Sequence, residues 1–369
     1  MDFSIERTEL VQALSVTLGV VERRNTMPIL GNVLLQADDD HLSVSATDLE
    51  VHVKRRCTAK IKTKGAATVP ARKLHELVRE LPQGEVRIRS LDNEFVEVVS
   101  SRSRAKLVGL PANDFPSFPH AETKGALSLE IAGAALRRLI DQTLFAVSTD
   151  DTRAHLGGVL LQVRGGALCF VATDGHRLAL CEQPLKQAME LEKGIILPRK
   201  GLGELRKLID DVEDTVKLRL LGNAVKADAG HVEIMMRLID GEFPNYEQVI
   251  PKSSKYTVTI ARSELLAALR RVSVVASDRV RGVRFRLAPN LLEVSASSAD
   301  FGEASEELEV PFDGEEMSVG FNARYLTEAL SVLDESIRVQ LSLSDDQSPG
   351  VLQTEDDDFF RYVVMPMRL

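Results

Sequence analysis

Tryptophan is absent from the 369 residues, and aromatic residues make up only 5%. Any core must therefore be aliphatic, drawn from an apolar fraction of 44% that suffices for several. Cysteine is scarce as well. Cys57, Cys169 and Cys181 make neither a disulfide framework nor a C-x-x-C metal pair, so small buried hydrophobes in a reducing compartment are expected. No apolar run approaches the ~18 residues of a membrane span. The opening Met1-Asp2-Phe3-Ser4-Ile5-Glu6-Arg7 has no apolar signal-peptide core, and a cytoplasmic chain is expected. Positive charge is in deficit: the net charge of −9 favours solubility and argues against broad nucleic-acid affinity. Catalytic signatures are missing too, with no G-x-S-x-G elbow, P-loop, H-E-x-x-H or G-x-G-x-x-G. The histidines form no metal-spaced cluster, and the acidic runs Asp38-Asp39-Asp40 and Glu355 to Asp358 lack the EF-hand pattern. They read as solvated hairpin turns. No enzyme chemistry, metal or cofactor is expected.

What is present is a pattern written three times. Ile29-Leu30-Gly31-Asn32-Val33-Leu34-Leu35-Gln36 returns as Leu156-Gly157-Gly158-Val159-Leu160-Leu161-Gln162, and more weakly from Val280 to Leu287. Gly31, Gly157 and Gly282 lie about 125 residues apart, near one ordinary domain length. Each copy opens a strand that turns into a second apolar strand: Leu42 to Ala46, Leu168 to Ala172 and Leu292 to Ala296. Three copies in register are an internal repeat.

The same plan surrounds each copy. A short strand leads into a helix with Leu10, Val11, Leu14 and Leu18 inward in the first repeat. Leu136, Leu139, Ile140 and Leu144 follow in the second, and Leu265, Leu266, Leu269 and Val272 in the third. Thr8 and Ser263 are expected to cap the first and last of these helices. Second helices are predicted after Val69-Pro70 and Leu197-Pro198 and around Tyr325 to Leu333. Pro111 to Gly125 and Pro251 to Ser254 read as linkers. The expected domains are 1–122, 123–252 and 253–369, of α+β class with helices gathered on one side of antiparallel sheet.

Three constellations stand out. In Thr173-Asp174-Gly175-His176-Arg177 an Asp precedes a His by two residues, as in a pair that orients an imidazole. Strand alternation would put Asp174 and His176 on one face and Arg177 on the other. Over the predicted helices at 71–81, 136–147, 199–212 and 262–276, Lys and Arg exceed Asp and Glu by five. That excess fits ordinary solvated faces or a weakly positive lining that contacts phosphates without reading sequence. Finally, Val363-Val364-Met365-Pro366-Met367-Arg368-Leu369 is an apolar terminus carrying two Met. It either closes the core of the third repeat or forms an adaptable binding surface.

Several segments together resemble one family. They are Pro28 to Asn32, Val69 to Lys73, Ala172 to Ala179, Pro198 to Gly201, Arg281 to Arg284 and Tyr362 to Leu369. The chain resembles, over its whole length, the bacterial sliding clamp, the beta subunit of the replicative DNA polymerase. The resemblance implies three clamp-type domains per chain and two chains closed into a ring, with helices lining the bore and sheets outside. It implies a non-catalytic processivity factor that encircles duplex DNA. Its partners would be a polymerase, a clamp loader and other clamp-binding-motif proteins. Their peptides would enter a pocket formed by Leu156, Thr173, Gly175, His176, Arg177, Leu178, Pro244, Val249, Val363, Met365, Pro366, Met367 and Arg368. DNA would face Arg24, Arg72, Lys73, Arg137, Arg138, Arg199, Lys200, Arg206 and Lys207. The dimer seam would use Arg102, Arg104, Leu107, Val274, Val275, Glu303, Glu306 and Glu307. Two positions depart from the family pattern: Gln248 where relatives often carry Arg, and Ala105 where a large apolar residue is expected. Six lining helices ~9 Å apart would leave a bore of only ~4 Å radius, and twelve one of ~12 Å; a duplex has a radius on the order of 10 Å. The rival readings are a monomeric peptide-binding scaffold and a hydrolase built on Asp174 and His176.

Overall fold

The computed structural model describes residues 1–21, 27–117, 128–185, 191, 193–209, 215–277, 281–356 and 358–369. Among them lie six α-helices: α1 (Arg7–Leu18), α2 (Ala71–Glu80), α3 (Gly133–Asp141), α4 (Arg199–Ile209), α5 (Arg262–Val272) and α6 (Ala323–Ser331). The described sheet pairing is antiparallel throughout, which makes the chain α+β. Contacts divide it into two compact units, Met1–Arg137 with Lys200–Leu238, and Arg138–Arg199 with Ile239–Leu369.

The repeated hairpin is built three times: Asn32–Ala37 with His41–Thr47, Gly158–Arg164 with Ala167–Thr173, and Gly282–Ala288 with Leu291–Ser298. The first unit holds an eight-stranded sheet in the order Gly65–Pro70, Asn32–Ala37, His41–Thr47, Val51–Thr58, Val232–Arg237, Ala224–Ala229, Thr215–Leu221, Ser128–Ala132. The second unit holds its counterpart: Ile195–Pro198, Gly158–Arg164, Ala167–Thr173, Arg177–Pro184, Phe360–Val364, Gly350–Thr354, Arg338–Leu343, Tyr256–Ala261. Each takes four strands from one sequence repeat and four from the next. Such joining satisfies N–H and C=O groups that an open edge at the border of a repeat would leave bare. A five-stranded sheet ending in Ser103–Val108 completes the first unit, and a four-stranded sheet ending in Gly302–Glu309 completes the second.

Thr8 and Ser263 do not cap. They lie inside α1 and α5, whose preceding residues Glu6 and Ala261 offer no side-chain cap. The strands run straight into these helices, and neighbouring backbone takes the freed donors. Arg7 N–H reaches the Gly84 carbonyl at 2.9 Å, and Arg262 N–H that of Ile337 at 3.1 Å. The same arginines reach back with Nε to Val78 C=O at 3.0 Å and Leu330 C=O at 2.7 Å, covering carbonyls in the last turns of α2 and α6. α3 stops at Asp141, so Leu144 falls in a separate 3-10 turn, Leu144–Ala146. The described part of the first expected linker is structured. Ala112–Asp114 is a 3-10 turn, and Phe115 packs on Ile29 and Leu30; residues 118–125 lie outside the described residues.

The core of the first unit is largely aliphatic, with Leu10, Leu14, Leu35, Leu42, Leu74 and Val78 fully buried. Burial of each is worth about 1.5–3 kcal/mol. The three cysteines are buried free thiols. Burial pushes the Cys57 and Cys169 thiols up to about 12, which leaves them unreactive.

Candidate functional site

Strand Ala167–Thr173 ends in a tight turn. Thr173 Oγ1 donates to the Arg177 carbonyl at 2.6 Å and accepts Gly175 N–H at 3.1 Å. Asp174 Oδ1 accepts N–H from His176 at 2.9 Å and from Arg177 at 3.1 Å. Gly175 sits at φ +90°, where a side chain is strained. Strand alternation therefore does not hold here. The other oxygen of Asp174 takes Arg177 Nε at 3.0 Å, and the imidazole of His176 stacks on Tyr325 with centroids 6.5 Å apart. Asp174 is spent on the turn and on Arg177, which is not the arrangement of an acid orienting a catalytic base.

Arg177 is buried in the same turn. It is 7% exposed. Its guanidinium donates to Glu328 Oε2 at 2.6 Å and the Phe145 carbonyl at 2.8 Å, and lies 4.5 Å from the Tyr325 ring centroid and 5.4 Å from that of Phe145. Burial pushes the Glu328 carboxyl up, but hydrogen bonds from Arg324 and Arg177 prevail and hold it below its usual range. Burial pushes the Tyr362 phenol up, and its hydroxyl donates to the Tyr325 carbonyl at 2.9 Å. Glu328 and Phe145 are absent from the sequence reading, and Tyr325 enters it only as a helix residue and not as part of the site. The available signal was Arg177 itself, since a cation inside an apolar stretch requires a counter-charge from elsewhere.

The apolar part of the site follows from strand pairing. Arg177–Pro184 runs against Phe360–Val364, which sets Leu178 opposite Val363. Both are 2% exposed and join Leu160, Ile196 and Tyr246 in one cluster. Leu156 and Thr173 are buried too. Phe243 and Ile250 pack against the cluster, which brings the intervening Pro244 and Val249 to its edge. Val249 is 44% and Met365 41% exposed, so both present apolar surface to solvent. Gly175, His176, Pro244 and Arg368 are exposed, and Pro366 and Met367 half-buried. The terminus divides at Val364: Phe360 to Val364 close the core, and Met365 to Leu369 lie outside it. Two backbone bonds pin that tail, from Met365 N–H to His176 C=O and from Met367 N–H to Gly320 C=O, both at 2.9 Å. Leu369 rests on Gly320, where an added Cβ would come within 2.8 Å of its Cγ. A cavity of about 530 Å³ adjoins the turn, lined among others by His176, Arg177, Arg199, Tyr325 and Glu328.

The cations expected at DNA are largely engaged. Lys73 bonds Glu76 at 2.7 Å, Lys207 bonds Glu204 at 2.8 Å, and Lys200 pairs with Asp48. Arg72 donates to Val21 C=O at 3.3 Å, and Arg138 to Glu182 C=O at 2.9 Å. Arg137 and Arg206 are half-buried, Arg199 is exposed, and Arg24 lies outside the described residues. Of the seam candidates, Arg102, Glu303 and Glu307 are exposed, and Val274 is 78% exposed beside a half-buried Val275. Leu107 packs against the first unit's core with Ala105 two residues away on the same face, opposite Val96 and Val98. Arg104 lies 3.6 Å from Glu97, and Glu306 accepts Arg271 Nε at 2.8 Å within the chain. Val108, exposed on the same strand as Leu107, escaped the sequence reading. Among the described residues no group of three or more His, Cys, Asp or Glu is placed to hold a metal ion.

Three consecutive stretches match the DNA polymerase III beta subunit family: its N-terminal domain over residues 1–119, its central domain over 130–245 and its C-terminal domain over 247–368. The chain is 39% identical to the beta sliding clamp of Pseudomonas aeruginosa and 36% identical to that of Escherichia coli, each across 100% of both chains. The solved DNA polymerase III subunit beta from Pseudomonas aeruginosa matches with a TM-score of 0.95 at 38% identity. A Pseudomonas aeruginosa sliding clamp bound to griselimycin matches at 0.94 and 40%; both matches cover 100% of each chain.

Proposed function

We propose, for a chain that belongs to the beta sliding clamp family of DNA polymerase III beta subunits, that partner peptides dock on the apolar cluster around Leu178 and Val363. The chain's role is the family's: a non-catalytic processivity factor whose homodimer closes into a ring, encircles duplex DNA and tethers the polymerase. Clamp-loader and other clamp-binding-motif proteins would share the docking site. The observation that carries this reading is the pair of exposed apolar side chains Val249 and Met365 beside a buried apolar floor, with His176 and Arg368 polar at the edge. A surface that accepts many partners is apolar, adaptable and polar at its margin.

The seam would join strand Ser103–Val108 of one protomer to Gly302–Glu309 of its partner. Among the described residues each pairs on one side only, and the first carries Arg104 and Lys106 against Glu303, Glu306 and Glu307 on the second. Arg102 would flank the first strand, and Val274 with Val275 would supply apolar cover. The engaged lining cations imply weak direct DNA affinity, with retention by topology. The three domains are assigned to 1–122, 123–252 and 253–369. Among the described residues no helix is long and apolar enough to cross a membrane. We place the chain in the cytoplasm on its kinship with the bacterial replication clamps.

Deleting Met365 to Leu369 tests the docking site. The deletion starts after the core strand, so the dimer should survive with a Tm within about 2 °C. Capture of a fluorescent clamp-binding peptide should be lost. Normal affinity in the stable truncation would remove the assignment.

A further inference from the structure

We infer that Glu328 on α6 is a positioning residue for the docking site, acting through Arg177. The inference rests on the docking reading above. Arg177 cannot itself serve a peptide well. It is almost wholly buried, and each of its three nitrogens donates inward, to Asp174, Glu328 and the Phe145 carbonyl. Its work is to tie the turn of the second repeat to a helix of the third.

Glu328 divides its two oxygens between two cations. Oε1 takes Arg324 Nε at 2.6 Å, one helical turn away, and Oε2 takes Arg177 Nη1 at 2.6 Å. Two guanidiniums thus meet two carboxylates, Glu328 and Asp174, and the group is balanced. Without the Glu328 charge the buried Arg177 keeps one carboxylate. It must then draw Asp174 toward itself or turn outward to water. Either movement disturbs what Asp174 Oδ1 holds, the N–H groups of His176 and Arg177. Turning outward also removes the cation from the face of Tyr325, the ring on which His176 stacks. His176 in turn anchors Met365 through its carbonyl. One carboxylate on α6 therefore reaches both His176 and Met365, though the sequence places it in neither motif.

The test uses the full-length dimer. Glu328→Leu removes charge and acceptor; Glu328→Gln keeps an acceptor at the same length; Arg324→Ala leaves the Arg177 contact in place. Titration with a fluorescent clamp-binding peptide should give a tenfold or greater loss for Glu328→Leu, a few-fold loss for Glu328→Gln, and less than twofold for Arg324→Ala. The His176 Hε1 resonance, shifted by the Tyr325 ring, should move in the free Glu328→Leu protein in step with the affinity loss. A lowered Tm with peptide affinity and His176 resonance unchanged would overturn the inference and leave Glu328 as packing for α6. If Glu328→Leu does not fold, Glu328→Gln decides by the same two readouts. The Met365 to Leu369 truncation is run in parallel. Normal binding by the truncation overturns the docking reading itself. Lost binding there, with normal binding by the Glu328 variants, overturns only the role of Glu328.

Discussion

In the first eight-stranded sheet the turn from Thr47 to Val51 makes the same four hydrogen bonds as the turn from Thr173 to Arg177 in the second. Thr47 Oγ1 donates to Val51 C=O and accepts Leu49 N–H, both at 3.0 Å. Asp48 Oδ1 accepts Glu50 N–H at 3.0 Å and Val51 N–H at 2.7 Å. Arg237 N–H reaches Glu50 C=O at 2.8 Å, the counterpart of Met365 N–H on His176 C=O. The side chains differ. Leu49, at φ +79°, stands for Gly175, Glu50 for His176, Val51 for Arg177 and Arg237 for Met365. Gly201, the third residue of α4, stands for Tyr325, the third of α6. Asp48 is neutralised by Lys200 on α4, whereas Asp174 meets Arg177 of its own turn. The backbone device is thus common property of the repeat. What sets the second turn apart is a missing side chain at Gly175, an aromatic ring at Tyr325 and an apolar residue at Met365.

The harshest way to break that difference is to copy Leu49 into the second turn. Gly175→Leu places a bulky group at the centre of the proposed docking surface, and its Cβ would lie 3.0 Å from Arg153 Nη1. The left-handed backbone adds about 1–2 kcal/mol of strain, so Tm should fall by a few degrees. Peptide affinity should fall a hundredfold or more. Wild-type affinity in this variant would mean that the turn does not border the site. A milder exchange is His176→Glu with Met365→Arg, which installs the residues of the first turn while leaving Gly175 open. Both positions are exposed, so stability should hold within about 1 kcal/mol. Peptide binding should weaken roughly tenfold through loss of one apolar contact and the changed polar edge. An unchanged titration would show that the floor alone carries affinity.

These particulars also mark what a sequence can disclose. The hairpins and most helices were legible because aliphatic residues recur at two-residue spacing in strands and at three- and four-residue spacing in helices, as in Leu74, Leu77 and Val78. Helix starts were misread at Thr8 and Ser263 because the partner of Arg7 N–H is the backbone of Gly84, far along the chain. The same holds at the site. Met365, Val249 and His176 could be named from the resemblance, but Arg177 was placed on the wrong side of its turn. Its burial is set by Glu328, 151 residues away, and periodicity carries no information across such a distance. The eight-stranded sheets were hidden for a like reason: strand pairing between Val51–Thr58 and Val232–Arg237 joins separate repeats.

The gentlest test runs the other way, with Leu49→Gly. At φ +79° a leucine carries strain of about 1–2 kcal/mol that glycine relieves. Against this, glycine widens the unfolded ensemble by about 0.5–1 kcal/mol and gives up the modest apolar contact of a half-exposed side chain. The two effects nearly cancel, so Tm should move by no more than about 2 °C. More telling is what the first turn should still fail to do. Opening position 49 removes one of the differences, yet Glu50 and Arg237 still present charge where the second turn presents His176 and Met365, and Gly201 still supplies no ring. Calorimetric titration of Leu49→Gly with the same peptide should therefore give one site per chain at unaltered affinity. A second site per chain would show that the open turn alone creates the pocket, and that the aromatic ring and apolar tail of the second unit are secondary.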